Sequence, residues 1–248
     1  MVGKLIGRTA LVTGGGKRLG RAIALALAGA GANVVVHYNR SEEEARGVAR
    51  EIEGLGARSW AVGADLADPA RAEGLIGKAG QAAGGRLDIL VCSASIFPQG
   101  TFESITLDDI RENVAINAWA PFVLGRSFAA QTGSGHIVNL LDTRIAGYDW
   151  QHVAYQASKV LLGLLTRMMA VRFAPGIAVN AVAPGLILPP PGKDESYLES
   201  LRDTVPLRRT GSPEDITEAV LLLAGSSFIT GQIIFVDGGR HLKEESLG

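Results

Sequence analysis

Short runs of apolar and β-branched residues alternate along the chain with longer stretches of helical period. The runs Thr9–Val12, Asn33–His37, Ser59–Val62, Ile89–Cys92, His136–Leu140, Ala178–Val182 and Ile233–Val236 predict seven strands. Several are apolar at consecutive positions, the pattern of parallel strands covered on both faces. Between them the period predicts helices near Leu19–Ala30, Glu42–Leu55, Pro69–Gly84, Leu107–Ala130, Val153–Phe173 and Pro213–Ala224. Such βαβα alternation implies an α/β fold, a single-domain doubly wound parallel sheet with right-handed crossovers and helices on both faces. No repeat or low-complexity linker divides residues 1–248. One irregular insertion, Pro184–Pro206, carries Pro189-Pro190-Pro191 and a short helix near Glu195–Arg202. It follows the sixth strand, on the edge where open α/β sheets bind ligands, and reads as a substrate loop with Pro184, Gly185 and Ile187 at its root beside the ligand.

Two local patterns carry chemistry. The turn Thr13-Gly14-Gly15-Gly16-Lys17-Arg18-Leu19-Gly20 joins the first strand to the first helix. Glycines there let main chain approach a pyrophosphate, and the helix start offers free N–H groups and a positive dipole end. The plainer alternative is a glycine-rich connection made for tight packing. Downstream, Tyr155 and Lys159 stand four residues apart in a helical segment, which stacks phenol and ammonium on one face. A cation beside a tyrosine favours the phenolate and lowers its pKa, so the pair predicts a proton donor and acceptor usable near neutral pH.

Composition narrows the partners. At 248 residues and 47% hydrophobic content the chain can bury a full core, and a net charge of −1 with dispersed charges suggests neither nucleic acid nor an anionic membrane. The single cysteine, Cys92, cannot form an internal disulfide and fits a reducing cytoplasm. Met1–Leu5 lacks signal-peptide architecture, and the apolar stretch Ala22–Val36 is too short and too broken by glycine to span a bilayer. The four histidines, His37, His136, His152 and His241, have no metal-ligand spacing, so no metal is expected.

The Thr13-Gly14 to Gly20 turn together with Tyr155-x-x-x-Lys159 resembles the short-chain dehydrogenase/reductase superfamily, across essentially the whole chain. Arg18 in the turn, His37-Tyr38-Asn39-Arg40-Ser41 after the second strand, Phe97 after the fourth, and Asp142 where most relatives have serine resemble the pteridine reductases in particular. The resemblance implies a Rossmann-type reductase that binds NADPH and assembles as a homotetramer. It makes Tyr155, Lys159, Asp142 and Asn117 the catalytic set, with Asn117 helping to hold Lys159 and a proton-relay water. Asp65, beside Leu66, would contact the adenine amine, although it could equally cap the next helix, where Asp68 before Pro69 is the better cap. Cys92-Ser93-Ala94-Ser95 stands where the family has Asn-Asn-Ala. Small residues Ser93, Ala94 and Ser95 keep close approach to the cofactor open, while Cys92 reads as a core residue.

Charge argues for NADPH independently. Folds selecting NAD place a carboxylate after the second strand for the ribose 2′-hydroxyl. Here Tyr38 and Asn39 fill that region, and Lys17, Arg18 and Arg40 are expected to converge on a 2′-phosphate, with Ser41 capping or donating. A solvated basic patch beside Glu42, Glu43 and Glu44 is the alternative. Asp142 is the sharpest substrate clue: an ionised carboxylate cannot donate to a carbonyl, but can accept N–H bonds from an amino-pyrimidine ring, or donate if burial raises its pKa. Phe97 would stack on that ring, and Arg18, Ser95 and Tyr155 complete the substrate contacts. The alternatives are a turn cap for Asp142, with Thr143 as substitute hydroxyl, and a core role for Phe97. The expected activity is hydride transfer from NADPH to a dihydropteridine or dihydrofolate-like ring. A carbonyl or 3-oxoacyl reductase, and a cofactor-sensing protein without turnover, are the competing readings. The segment Val160–Leu165, apolar on nearly all sides, fits burial against a partner helix.

Overall fold

The computed structural model describes residues 5–190 and 192–243. Seven strands form one parallel sheet: β1 Thr9–Thr13, β2 Asn33–Tyr38, β3 Ser59–Gly63, β4 Ile89–Cys92, β5 Gly135–Leu140, β6 Ile177–Pro184 and β7 Ile233–Val236, in the order β3-β2-β1-β4-β5-β6-β7. Each strand predicted from the apolar runs is present within two residues at either end. The consecutive apolar positions have the anticipated cause. Ala10, Val12, Val34 and Val36 pack on one side with Ile23, Leu27, Val48, Ile52 and Val220. Leu11, Val35, Leu90 and Cys92 pack on the other with Leu75, Ile76, Leu124 and Phe128. A strand whose alternate side chains all meet helices has no polar face.

The helices are α1 Arg18–Gly29, α2 Glu42–Gly54, α3 Pro69–Ala83, α4 Leu107–Val114, α5 Ala120–Thr132, α6 Val153–Arg172, α7 Glu195–Leu201 and α8 Pro213–Gly225. Asp68 caps α3, accepting from the amides of Ala70 and Arg71 with Pro69 in the first turn. A capping box of Thr106 and Asp109 starts α4.

The single helix predicted over Leu107–Ala130 is divided. Between α4 and α5 the chain winds through a wider π turn, Ala115–Trp119. Pro121, in the first turn of α5, supplies the reason: it has no N–H for the α-helical ladder, and its ring crowds the carbonyl four residues back, at Asn117. Asn117 therefore stands in the wide turn, completely buried.

The sheet order reverses at β1, which pairs with β2 on one side and β4 on the other. The carboxyl ends of β1 and β4 diverge toward their connections there, opening the crevice in which such sheets bind ligands.

Candidate active site

The crevice holds a cavity of about 480 Å³ running from the glycine turn, past Asn39, Asp65, Leu66 and the Ser93–Phe97 segment, to Asp142, Tyr155, Lys159 and the root of the insertion at Pro184, Gly185 and Ile187. Gly14, Lys17, Arg18, Leu19 and Gly20 also line it, so the structure gathers most of the expected residues around one space.

The nucleotide end is shaped by main chain. Gly14 has φ 64°, and a Cβ on it would meet the Ala94 backbone at 3.0 Å; a Cβ on Gly20 would lie 2.2 Å from the Gly14 carbonyl oxygen. Only glycine lets the turn close on itself and on the β4 segment. Thr13 Oγ1 accepts from the Ser93 and Ala94 amides at 3.0 Å each and fixes that segment. No side chain caps α1, and no acid occupies its first turn, so its leading N–H groups face the crevice as an anion cradle. These features fit a dinucleotide pyrophosphate.

His37 holds the turn from below. Its Nδ1 accepts from the Gly14 amide at 3.2 Å, which leaves Nε2–H to donate to the Ala64 carbonyl at 3.1 Å. Burial lowers its pKa to about 4, with Lys78 adding to the effect against the Ala64 bond. In sequence this histidine stood among four scattered imidazoles and opened the His37–Ser41 run without a role of its own; what marks it is contact with residues far along the chain.

The expected convergence on a 2′-phosphate is only partly formed. Lys17 pairs with Glu44 at 2.6 Å, so the acidic start of α2 competes for it, and Arg18, at φ 50°, donates to the Pro189 carbonyl at 2.5 Å. Arg40 is exposed beside them. Ser41 precedes α2 without capping it, because its backbone (φ −100°, ψ 57°) departs from the extended geometry that aims a capping oxygen at the helix. Tyr38, Arg40 and Ser41 lie outside the cavity lining. The Tyr38 ring instead covers Gly63, where an added Cβ would come within 2.9 Å of it. Asp65 accepts from the Ala67 amide at 3.0 Å and lies 3.4 Å from the Asn39 amide nitrogen; it is not the cap of α3.

The opposite end is made of charge. Asp142 follows β5 and caps a short 3-10 turn, Thr143–Ala146. Its Oδ1 accepts from the Arg144 amide at 2.9 Å; its Oδ2 accepts from the Tyr155 hydroxyl at 3.0 Å and from Arg144 Nη1 at 3.1 Å. The cap and the site contact thus coexist in one carboxylate. Thr143 does not substitute for it, since its hydroxyl is spent on Asp237 at 2.5 Å. Asp237 lines a separate cavity of about 510 Å³ with His241, without the tyrosine and lysine.

The electrostatics of Tyr155 reverse the expectation from spacing. Burial pushes its pKa well above the ordinary tyrosine value, and the Asp142 charge and hydrogen bond add to the rise; Arg144 opposes them. Lys159 Nζ is 5.6 Å from the ring centroid and donates to the Leu140 carbonyl at 2.8 Å. Fully buried, Lys159 has its own pKa lowered to about 8, which the Asp142 charge only partly offsets. The phenol in this arrangement is a protonated donor aimed at a carboxylate. Cys92 behaves as a core residue: burial raises its thiol to about 12, against the pull of Lys159.

Asn117 also departs from its expected place. Its Oδ1 accepts from Ser95 Oγ at 3.0 Å and the Ile96 amide at 2.9 Å, and its amide nitrogen reaches Ile96 O, Asn113 Oδ1 and Ser158 Oγ at 3.1, 3.3 and 3.1 Å. Fully engaged there, it fixes the Ser95–Ile96 wall and leaves Lys159 to Leu140. Phe97 lines the cavity, but its ring already stacks on His152 at 4.0 Å, meets Tyr155 edge-on at 4.6 Å and has the Arg144 guanidinium 5.1 Å from its centroid. Sequence reasoning passed over Arg144 and Asp149. The one signal available was an arginine two residues after the cap, which the Asp142-Thr143-Arg144 run displays.

Residues 16–241 match the family described as enoyl-(acyl carrier protein) reductase. L-rhamnose 1-dehydrogenase (NAD(P)(+)) of a Sphingomonas species is 32% identical, over 96% of this chain and 98% of its own length. FolM alternative dihydrofolate reductase 1 from Brucella suis, solved with NADP, superposes with a TM-score of 0.91 at 32% identity, covering 100% of this chain and 99% of that one. The angucycline C-6 ketoreductase LanV with bound NADP gives 0.90 at 32% identity, covering 98% and 99%. The chain belongs to the short-chain dehydrogenase/reductase superfamily. It is an NADPH-dependent oxidoreductase acting on a small molecule.

Proposed function

We propose that the protein reduces a pteridine-type ring, a dihydropteridine or dihydrofolate-like compound, with NADPH. The observation that carries this reading is Asp142 as an acceptor at the substrate end of the cavity. A carboxylate offers about four acceptor positions. Three are occupied, one of them by Tyr155, so turning the tyrosine hydroxyl onto a substrate would leave one free on each oxygen. Adjacent N–H donors on an amino-pyrimidine edge match that pair; a simple ketone has none. Arg144 pairs with Asp142 at 3.1 Å and holds it at the substrate end of the site. The likeness to a dihydrofolate reductase points the same way.

Bound NADPH supplies the hydride. Tyr155, held protonated by burial, gives its proton to the ring nitrogen of the reduced C=N bond, and Asp142 orients the ring. Lys159 holds the nicotinamide ribose and compensates charge as the phenol loses its proton. The glycine turn, Arg18, Asn39, Asp65 and the Ser93–Ser95 segment hold the dinucleotide, with Arg40 and Ser41 at its rim. Residues 184–206 form the substrate loop.

Ketoreduction is the second reading, favoured by the likeness to the angucycline ketoreductase. Steady-state rates of Asp142→Ser on dihydrobiopterin and on a diketone decide between them. The expected result is loss of most pteridine turnover, NADPH affinity unchanged and ketone activity kept or raised. Full pteridine turnover in Asp142→Ser would leave ketoreduction ahead. A homotetramer belongs to the same proposal: Val160, Leu164, Met168 and Val171 form an exposed apolar stripe along α6, and sedimentation at micromolar protein measures the assembly. Among the described residues no helix is long and apolar enough to cross a membrane, and a cytoplasmic location is part of the proposal.

A further inference from the structure

Arg144 is absent from the cavity wall yet is tied to nearly every group at its substrate end. Its Nη1 bonds Asp142 Oδ2 at 3.1 Å and its Nε bonds Asp149 Oδ2 at 2.5 Å, so one guanidinium bridges two carboxylates. Its amide donates to the other Asp142 oxygen, and its carbonyl accepts from Gln156 Nε2 at 2.7 Å, one residue beyond Tyr155 on α6. Gln156 also accepts from the Asp149 amide at 2.7 Å and donates to the Gly147 carbonyl, which fastens the whole 144–149 segment to the catalytic helix. Asp149 in turn accepts from the Gln151 and His152 amides and from His152 Nδ1, whose ring stacks on Phe97. The two carboxylates keep the half-buried guanidinium charged against the cost of its burial.

Resting on the pteridine reading above, we propose that Arg144 is a positioning residue: braced by Asp149, it holds the Asp142 carboxylate at the angle from which Asp142 and Tyr155 meet one substrate ring together. Two features of the geometry require it. Asp142 Oδ1 is held by main chain, and its Oδ2 by the guanidinium together with the Tyr155 hydroxyl; once that hydroxyl turns to a substrate, the guanidinium is the remaining bond on Oδ2. Planar and forked, a guanidinium can span two carboxylates at once, as an ammonium cannot do with the same directions. The same guanidinium lies over Phe97, so removing it loosens the wall facing the substrate as well.

The test is a double-mutant cycle between Asp142→Ser and Arg144→Ala, read on dihydrobiopterin and on a diketone. Arg144→Ala in the otherwise unchanged protein is expected to lose kcat by on the order of a hundredfold, as misplaced catalytic groups do. Its NADPH affinity should hold, and millimolar guanidinium should restore a large part of the rate. Arg144→Lys should recover little, and Asp149→Asn should fall between it and the unmodified protein. In the Asp142→Ser background, Arg144→Ala should cost far less than in the unmodified protein, because its main partner is already gone and only its contact with Phe97 remains. Additive losses without guanidinium rescue, or a kcat in Arg144→Ala equal to that of the unmodified protein, would overturn the proposal. If the unmodified protein turns over the diketone but not dihydrobiopterin, the pteridine reading fails instead, and the same cycle on the diketone still decides whether Arg144 acts through Asp142.

Discussion

At the nucleotide end of the cavity the decisive distances are main-chain ones: Gly14 against Ala94, Gly20 against the Gly14 carbonyl, and Thr13 and His37 bonded to amides. At the substrate end they run between charged side chains, Asp142, Arg144, Asp149 and Tyr155, drawn from a strand end, a turn and a helix. The first construction is intolerant of volume and indifferent to most charges, since an added methyl cannot fit where a Cβ would stand 2.2 Å from an oxygen. The second tolerates small changes of volume but not of charge, since each member sets the direction of its neighbours and the Asp142 charge helps raise the Tyr155 pKa. A dinucleotide is the same molecule for every enzyme that uses it, so a rigid cradle serves. A substrate site built from a few side chains can be rebuilt by a few substitutions.

The sharpest break in this contrast is at Lys159, which lines the cavity and in the proposed mechanism serves both ends. Lys159→Met should lower turnover by about 10²–10⁴-fold, the usual contribution of a proton-transfer group. It should also leave the fold no weaker. The lysine pKa is lowered to about 8 in the folded protein. Below that pH the folded state carries the full cost of a buried charge, so an apolar chain of similar length should raise stability near pH 7 by about 1–3 kcal/mol. Rates together with denaturant midpoints check both halves, and a large loss of stability would mean that the ammonium is a structural keystone. At the rim of the nucleotide end, Arg40→Asp should weaken NADPH roughly ten- to a hundredfold and NADH little, because the cation proposed for the 2′-phosphate is replaced by a like charge. Equal effects on both cofactors would reduce Arg40 to a surface residue.

The smallest expected effect concerns pH. His37 titrates at about 4 when folded, against 6.5 in an unfolded chain. Between these values the unfolded chain binds the extra proton, so stability should fall as pH drops from 6.5 to 4, by at most about 3 kcal/mol. A His37→Gln variant should flatten that slope. An unchanged slope in the variant would place the acid sensitivity elsewhere.

How much of this was legible in sequence follows the same division. Strands appear where apolar runs predict them, because burial on both faces leaves a direct imprint on composition. The glycine turn was legible because backbone demands at Gly14 and Gly20 permit one residue type. The Tyr155 and Lys159 spacing was legible as a helix face, but not its electrostatics: the pKa of Tyr155 is governed by burial and by Asp142, thirteen residues upstream in the chain, and neither follows from a four-residue interval. Lys17 lines the cavity, but its pairing with Glu44 from the next helix was not legible in the turn itself. Arg144 went unseen because nothing local marks an arginine whose importance lies in bridging two carboxylates.

The wide turn at Ala115–Trp119 acts as a phase shifter. Each residue of a helix advances the direction of its side chains by about 100°. One additional residue in the turn therefore rotates everything after Pro121 relative to everything before Ala115. The two halves of what is otherwise one rod can then answer to different neighbours: α4 packs on α6, and α5 on α3. An uninterrupted helix of the same length would keep a single apolar stripe and satisfy only one of them. Asn117, at the splice, is the position that the shift turns toward the wall of the cavity.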